Sequence, residues 1–291
     1  MSVFQGSGVA ILTPFLNGEV DYASFGRLID RQIAGGTDAI VCCATTGEAP
    51  TLSPEEKRDI IRFVVDRVAG RVPVVASTGG NNTRHVIEES KAAESIGVNG
   101  LLVVTPYYNK TSQDGLVQHY NAVADSVHTP IIVYNVPSRT GLNVQPATMR
   151  RMLLHENIVG TKEASGNIEQ IVNLAALCPD CEIYSGNDDH ILPILSIGGR
   201  GVISTVANVV PKMVHDLCAA FFAGDVAGAR KLQFELIPMW KAAFCDVNPI
   251  PTKAMASLLG LCSAEMRLPL TAPSQGNMEL IRDTLKSYRL I

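Results

Sequence analysis

The sequence predicts an α/β protein folded as a (β/α)8 TIM barrel with a C-terminal helical extension. Three observations carry the prediction. Eight short apolar runs recur along the 291 residues, the stretches between them have helical spacing, and further helical segments follow the eighth run. In order, the runs are GVAILTP (8–14), AIVCCATT (39–46), VPVVAST (72–78), GLLVVTP (100–106), PIIVYNVP (130–137), IVGTKEA (158–164), EIYSGN (182–187) and GVISTVAN (201–208). They are near-continuous rather than alternating, the pattern of parallel strands covered on both faces. Their spacing is that of a strand plus a crossover helix. Eight such units favour a closed barrel over a doubly wound sheet, which more often has about five or six strands.

The intervening stretches justify themselves one by one. Phe25, Leu28, Ile29 and Ile33 follow helical spacing after the first run. Ser53-Pro54-Glu55-Glu56 is a helix start, with Ser53 as N-cap, proline at the first helical position and Glu56 at the third. Ile60, Ile61, Val64, Val65 and Val68 then form an apolar face. Gly35-Gly36, Gly70 and Gly97 stand where helices should stop. Beyond the eighth run, PKMVHDLCAAFFAGD reads as the last barrel helix. VAGARKLQFELIPMWKAAF, PIPTKAMASLLG and NMELIRDTLKSYRL read as the extension. The expected division is a barrel over 1–224 and a helical region over 225–291, with no linker between them.

Composition narrows the class. Hydrophobic residues make up 46% and the formal net charge is −4, so nothing points to a nucleic-acid partner. No run approaches a membrane span, and MSVFQGSGVA lacks the marks of a secretory signal. Seven cysteines, an odd number, fit reduced thiols, so a cytoplasmic location is expected. Cys178-Pro-Asp-Cys181 is a lone CxxC with no second pair to complete a zinc site. The six histidines make no HxH or HExxH pattern. Asp188-Asp189-His190 reads as a helix N-cap followed by a first-turn acid. Gly198-Gly199-Arg200-Gly201 reads as a tight turn into the eighth strand, on the face away from the expected site. Neither a metal nor an organic cofactor is implied.

In this fold the active site lies at the carboxyl ends of the strands. The polar residues there are Thr45-Thr46-Gly47-Glu48, Thr105 to Asn109, Tyr134 to Thr140, Lys162-Glu163, Ser185 to Asp189 and Ser204. Lys162 is the pointed feature, because a charged amine at the end of a buried strand is costly unless paired or neutral. One reading pairs it with a carboxylate such as Glu163. The other makes it a nucleophile that forms a Schiff base with a ketone or aldehyde. A free lysine, pKa ~10.4, is neutral at pH 7 in only about one case in 10³ to 10⁴. Burial lowers a lysine pKa and frees the lone pair. Tyr134, from the neighbouring strand, could pass protons as the carbinolamine forms and dehydrates.

Eight stretches in order, GVAILTPF, ATTGEAPTL, VTPYYNK, YNVPSRTG, VGTKEASGN, YSGNDD, GGRGVIS and NPIPTK, carry a resemblance over essentially the whole chain. The chain resembles the dihydrodipicolinate synthase family, within the N-acetylneuraminate lyase group of class I aldolases. The resemblance implies a homotetramer, a dimer of dimers. It also implies condensation of pyruvate with L-aspartate 4-semialdehyde through a lysine imine, the first committed step of the diaminopimelate route to lysine. By motif, Lys162 would be the Schiff-base lysine and Tyr134 the general acid/base. Thr45 and Tyr108 would complete a proton relay, Tyr108 from a neighbouring subunit. Thr46 would bind the pyruvate carboxylate, and Arg139 the carboxylate of the aldehyde substrate. Gly186 and Ile203 would line the pocket through backbone groups.

The same resemblance points to an allosteric lysine site near Ala49, Lys57, Asn81, His85 and Tyr107. Here the chain departs from the family pattern. Lysine-sensitive members often carry a histidine or acid at the position of Lys57, and a glutamate at that of His85. A cation at Lys57 would repel the ammonium of a bound lysine, so weak or absent inhibition by lysine is expected. Ala44, where the family often has glycine, is a smaller change. The alternative reading is a sister aldolase, an N-acetylneuraminate lyase or one acting on a 2-keto-3-deoxy sugar acid. Thr45-Thr46 together with Arg139 in VPSRT favours the synthase. A barrel without catalysis should lack one of Lys162, Tyr134, Thr45 and Tyr108, and all four are present. A pyridoxal-phosphate barrel should show a phosphate-binding glycine loop at the active face.

Overall fold

A computed structural model describes residues 2–291. Eight parallel strands are present, β1 (Gly6–Ala10), β2 (Ala39–Cys42), β3 (Val74–Ser77), β4 (Gly100–Val104), β5 (Ile131–Asn135), β6 (Ile158–Glu163), β7 (Glu182–Ser185) and β8 (Gly201–Ser204). They close into a barrel in sequence order, with β1 paired to both β2 and β8. Seven lie within the expected apolar runs, whereas β1 starts two residues ahead of its run and shares only 8–10 with it.

The near-continuous apolarity has a direct cause. Along β5, Ile131 and Val133 join the layer between strands and helices, while Ile132 and Tyr134 join the barrel interior. Ile183 and Val202 face the helices, whereas Tyr184 and Ile203 face inward. Both parities are buried, so a parallel barrel strand shows no polar alternation. At the amino end of the barrel, the ring of Phe4 stacks on that of Tyr184 with centroids 4.4 Å apart. The Tyr184 hydroxyl lies 2.7 Å from the Phe4 carbonyl oxygen, which closes that end.

Each strand leads to a helix: α1 (Tyr22–Ala34), α2 (Pro54–Val68), α3 (Thr83–Ile96), α4 (Gln113–Ala124), α5 (Pro146–Met152), α6 (Ile168–Leu177), α7 (Ile191–Ser196) and α8 (Pro211–Phe222). The start of α2 is a full capping box, with Ser53 accepting from the Glu56 N–H and Glu56 accepting from the Ser53 N–H. Its end differs from the glycine expectation, since Ala69 takes the left-handed C-cap at φ 50° and Gly70 follows. A short antiparallel hairpin, Phe15–Leu16 with Glu19–Val20, precedes α1 and was not foreseen. The turn before β8 is as tight as expected. Gly198 takes a left-handed φ of 95°, and the Gly199 N–H donates to the Ile194 carbonyl oxygen at 2.9 Å.

Past the barrel lie α9 (Val226–Ala243), α10 (Ile250–Leu258) and α11 (Gln275–Ser287). α9 packs along α8, and α11 rests on α9 and α10. This places the loop from 244 to 249 beside the carboxyl end of the barrel, where it reaches the residues described next. No helix is long and apolar enough to cross a membrane among the described residues.

Candidate active site

The β5–β6 ladder sets the centre of the site. Tyr134 and Lys162 are direct partners in its register. Both side chains are nearly buried, and Lys162 Nζ lies 4.4 Å from the centroid of the Tyr134 ring. Glu163, one residue on, has the opposite parity. It accepts from Asn135 Nδ2 at 3.1 Å and from the Ser165 N–H at 2.9 Å. Pairing of Lys162 with Glu163 is therefore overturned by the alternation of the strand. Burial holds the Glu163 carboxyl above the ordinary range, against those hydrogen bonds.

Gly186 makes room for the lysine. A Cβ there would meet the Ala164 Cβ at 2.6 Å and the Lys162 Cε at 3.2 Å. Asp188 follows, fully enclosed. It does not cap the helix after it, as the sequence suggested. Its carboxylate crosses to the end of β8, accepting from the Thr205 N–H at 3.1 Å, the Val206 N–H at 3.2 Å and the Ser204 hydroxyl. Burial raises its pKa, while these donors and the positive charge of Lys162 act the other way.

The loop after β2 carries Thr45 and Thr46. Thr46 Oγ1 accepts from Asn248 Nδ2 at 3.0 Å and lies 3.4 Å from Thr205 Oγ1. After β5, Pro137 opens a single helical turn, Pro137–Thr140. That turn carries Arg139, whose Nη2 donates to the Asn248 carbonyl oxygen at 3.2 Å. Thr45, Thr46, Tyr134, Arg139, Lys162 and Gly186 thus line one cavity of about 210 Å³. A second cavity of about 410 Å³ adjoins it, sharing Thr45, Tyr134 and Arg139. Ala49, Lys57, Asn81, His85 and Tyr107 all line this larger space.

Two sequence-level candidates stand elsewhere. Ile203 packs inside the barrel with Tyr134 and Tyr184 and is not among the cavity-lining residues. Tyr108 lines neither cavity; it is 93% exposed at a left-handed φ of 68°. Residues the sequence reading missed come from the extension and its contacts. Asn248 lines the smaller cavity. Lys253, fully buried on α10, is ion-paired with Glu48 of the β2 loop. The only sequence signal for either was the NPIPTK stretch. Among the described residues no group of three or more His, Cys, Asp or Glu is placed to hold a metal ion.

Fold and cavity together define a barrel enzyme that works at the carboxyl ends of its strands. Comparison with known proteins makes this specific. The model of the dihydrodipicolinate synthetase family matches residues 3–288, and the chain belongs to that family, a family of lyase-type enzymes. It is 51% identical over 289 residues to the 4-hydroxy-tetrahydrodipicolinate synthase of Caldicellulosiruptor bescii, covering 99% of this chain and 98% of that protein. The crystal structure of dihydrodipicolinate synthase from Thermotoga maritima superposes with a TM-score of 0.97 at 42% identity, each chain being covered completely. The enzyme from Acinetobacter baumannii, solved as a complex with pyruvate, gives a TM-score of 0.96 at 41% identity, with 99% of each chain covered.

Proposed function

We propose that this protein is a 4-hydroxy-tetrahydrodipicolinate synthase that condenses pyruvate with L-aspartate 4-semialdehyde. The observation that carries the reading is the meeting of Lys162 and Tyr134 across the β5–β6 ladder inside a polar-rimmed cavity. The names of the relatives and the pyruvate bound to one of them support it.

In the proposed mechanism, the pyruvate carboxylate sits on Thr46 and its ketone faces Lys162. The neutral amine attacks the carbonyl carbon to give a carbinolamine. Tyr134 transfers protons between nitrogen and oxygen, and water leaves as the imine forms. Loss of a methyl proton gives the enamine. Its carbon attacks the aldehyde of the second substrate, whose carboxylate is held by the planar fork of Arg139. The amino group of the adduct then attacks the imine carbon, closes the ring and releases Lys162. One water is lost overall, and the lysine is regenerated. Thr45 and Tyr108 complete the proton path to Tyr134. Tyr108 is wholly outside its own cavity, which fits a role in a neighbouring subunit of a homotetramer.

The larger cavity supports weak control by lysine. Lys57 puts a cation on its wall. Glu89, the one carboxylate among its lining residues, is already bonded to Arg58 at 3.2 Å. The deciding experiment treats the protein with pyruvate and borohydride, and weighs the product beside Lys162→Ala. A reduced pyruvate adduct on Lys162, with cyclisation activity lost in the variant, is expected. An active wild type that forms no adduct would remove the imine mechanism.

A further inference from the structure

Asn248 stands between the two groups assigned to the two substrate carboxylates. It is 7% exposed and lines the smaller cavity. Its side-chain Nδ2 donates to Thr46 Oγ1, and its main-chain carbonyl accepts from Arg139 Nη2. The two contacts leave one residue in different directions and through different atoms.

The side-chain contact decides what Thr46 can offer. A hydroxyl has one proton and two lone pairs. With a lone pair engaged by the Asn248 amide, the Thr46 proton is left for another acceptor. The Thr205 hydroxyl, at 3.4 Å, is too distant to hold it firmly. A carboxylate can only accept, so a hydroxyl held as a donor is what it requires. The opposite amide orientation would draw the proton toward Asn248 and turn lone pairs to the anion. In the observed orientation Asn248 Oδ1 is buried with no partner, an arrangement that costs stability.

We infer that Asn248 is a positioning residue for the 2-oxo acid half-reaction, holding the Thr46 hydroxyl as a donor toward the substrate carboxylate. The inference rests on the carboxylate roles proposed above for Thr46 and Arg139. It also predicts an asymmetry. Side-chain replacement removes the bond to Thr46 but keeps the main-chain carbonyl that faces Arg139. The two substrates should therefore respond differently.

The test is steady-state kinetics on Asn248→Ala and Asn248→Asp, with both substrates varied. A covalent intermediate lets kcat/KM for each substrate report its own half-reaction. We expect Asn248→Ala to lower kcat/KM for pyruvate about tenfold, the scale of one hydrogen bond to a charged group. The value for the aldehyde should stay within about twofold. Asn248→Asp keeps the shape but replaces a donor by a second anion, so its pyruvate defect should exceed that of alanine. A purely structural role would make the isosteric aspartate the milder change and lower both values together, which would overturn the inference. If alanine fails to fold, the aspartate variant alone decides through the pyruvate-to-aldehyde ratio. Wild type run in the same assay separates the two levels: no cyclic product from wild type sinks the proposed function, whereas an active wild type with an unshifted ratio in the variants sinks only the role of Asn248.

Discussion

Replacing Lys253 by methionine probes how the Thr45-Thr46 loop is held. Lys253 is fully buried, its Nζ bonded to Glu48 Oε1 and set over the Phe15 ring at 4.3 Å from the centroid. Burial lowers the Lys253 pKa even with Glu48 alongside. The other Glu48 oxygen accepts the Arg267 N–H at 3.2 Å. Glu48 itself sits at φ 56°, a conformation that a non-glycine residue adopts at some cost. Methionine keeps the length and most of the apolar stem but strands a buried carboxylate on one backbone donor. Breaking such a pair costs about 3–5 kcal/mol. Over 291 residues, an unfolding entropy of about 2.1 cal/mol/K per residue gives about 0.6 kcal/mol/K, so the melting temperature should fall by about 5–8 °C. Scanning calorimetry would read this, with Glu48→Gln/Lys253→Met as the control that removes the stranded charge and should recover most of the loss. A single variant within about 1 °C of wild type, roughly 0.6 kcal/mol, would refute the claim that this pair anchors the loop.

Further expectations concern assembly, regulation and acid. Lys162→Ala and Tyr108→Phe, each impaired alone, should regain activity when unfolded and refolded together, because mixed oligomers contain sites with both groups intact; no recovery in verified hybrids would refute donation of Tyr108 across the subunit interface. Millimolar L-lysine should leave most of the initial rate, and Lys57→His/His85→Glu should raise lysine sensitivity about tenfold, a change of ~1.4 kcal/mol. His119 is buried with Nδ1 on Thr83 Oγ1 at 2.9 Å and no partner for Nε2, and burial pushes its pKa down to about 4. The native state thus prefers the neutral ring. Stability is full above the unfolded value of about 6.5 and falls as pH drops from there toward 4, by up to about 3 kcal/mol. Denaturant titrations at several pH values should show a shallower acid loss in His119→Gln.

The barrel was legible because each strand is buried on both faces, so Ile131-Ile132-Val133 announces a strand without needing an interpretable alternation. That same property hid the parity. Nothing in VGTKEA says whether Lys162 or Glu163 turns inward, and only the closed ladder assigns the lysine to the cavity and the glutamate to Asn135. The strand-end rule located Thr45, Tyr134, Arg139 and Lys162, since the first, second and fourth lie in the carboxyl half of their own runs and Arg139 stands two residues beyond one. It could not locate groups delivered by distant chain. Asn248 and Thr46 are 202 positions apart, and Lys253 and Glu48 are 205 apart. Asp188 failed for a related reason: a local cap and a bond across to β8 look alike in sequence, and burial decided between them.

These distant contacts bear on what the C-terminal helices are for. Were they only a cover for one side of the barrel, their contacts would be apolar and spread along α8. Instead, three polar groups of the extension, one on α10 and two on the segments flanking it, converge on the β2 loop and the rim of the cavity. Asn248 touches Thr46 and Arg139, Lys253 holds Glu48, and Arg267 bonds both Glu48 and Glu56. Arg267 also lies over the ring of Phe15, in the hairpin after β1, 4.5 Å from its centroid. Each of these polar groups would be costly to bury without its partner. Packing of the extension and geometry of the residues proposed to bind the carboxylates are therefore one problem for folding, solved together. A barrel cut away from its extension would strip Glu48 of Lys253 and Arg267 and Thr46 of Asn248, leaving Lys162 beside a loop that had lost its contacts with the extension.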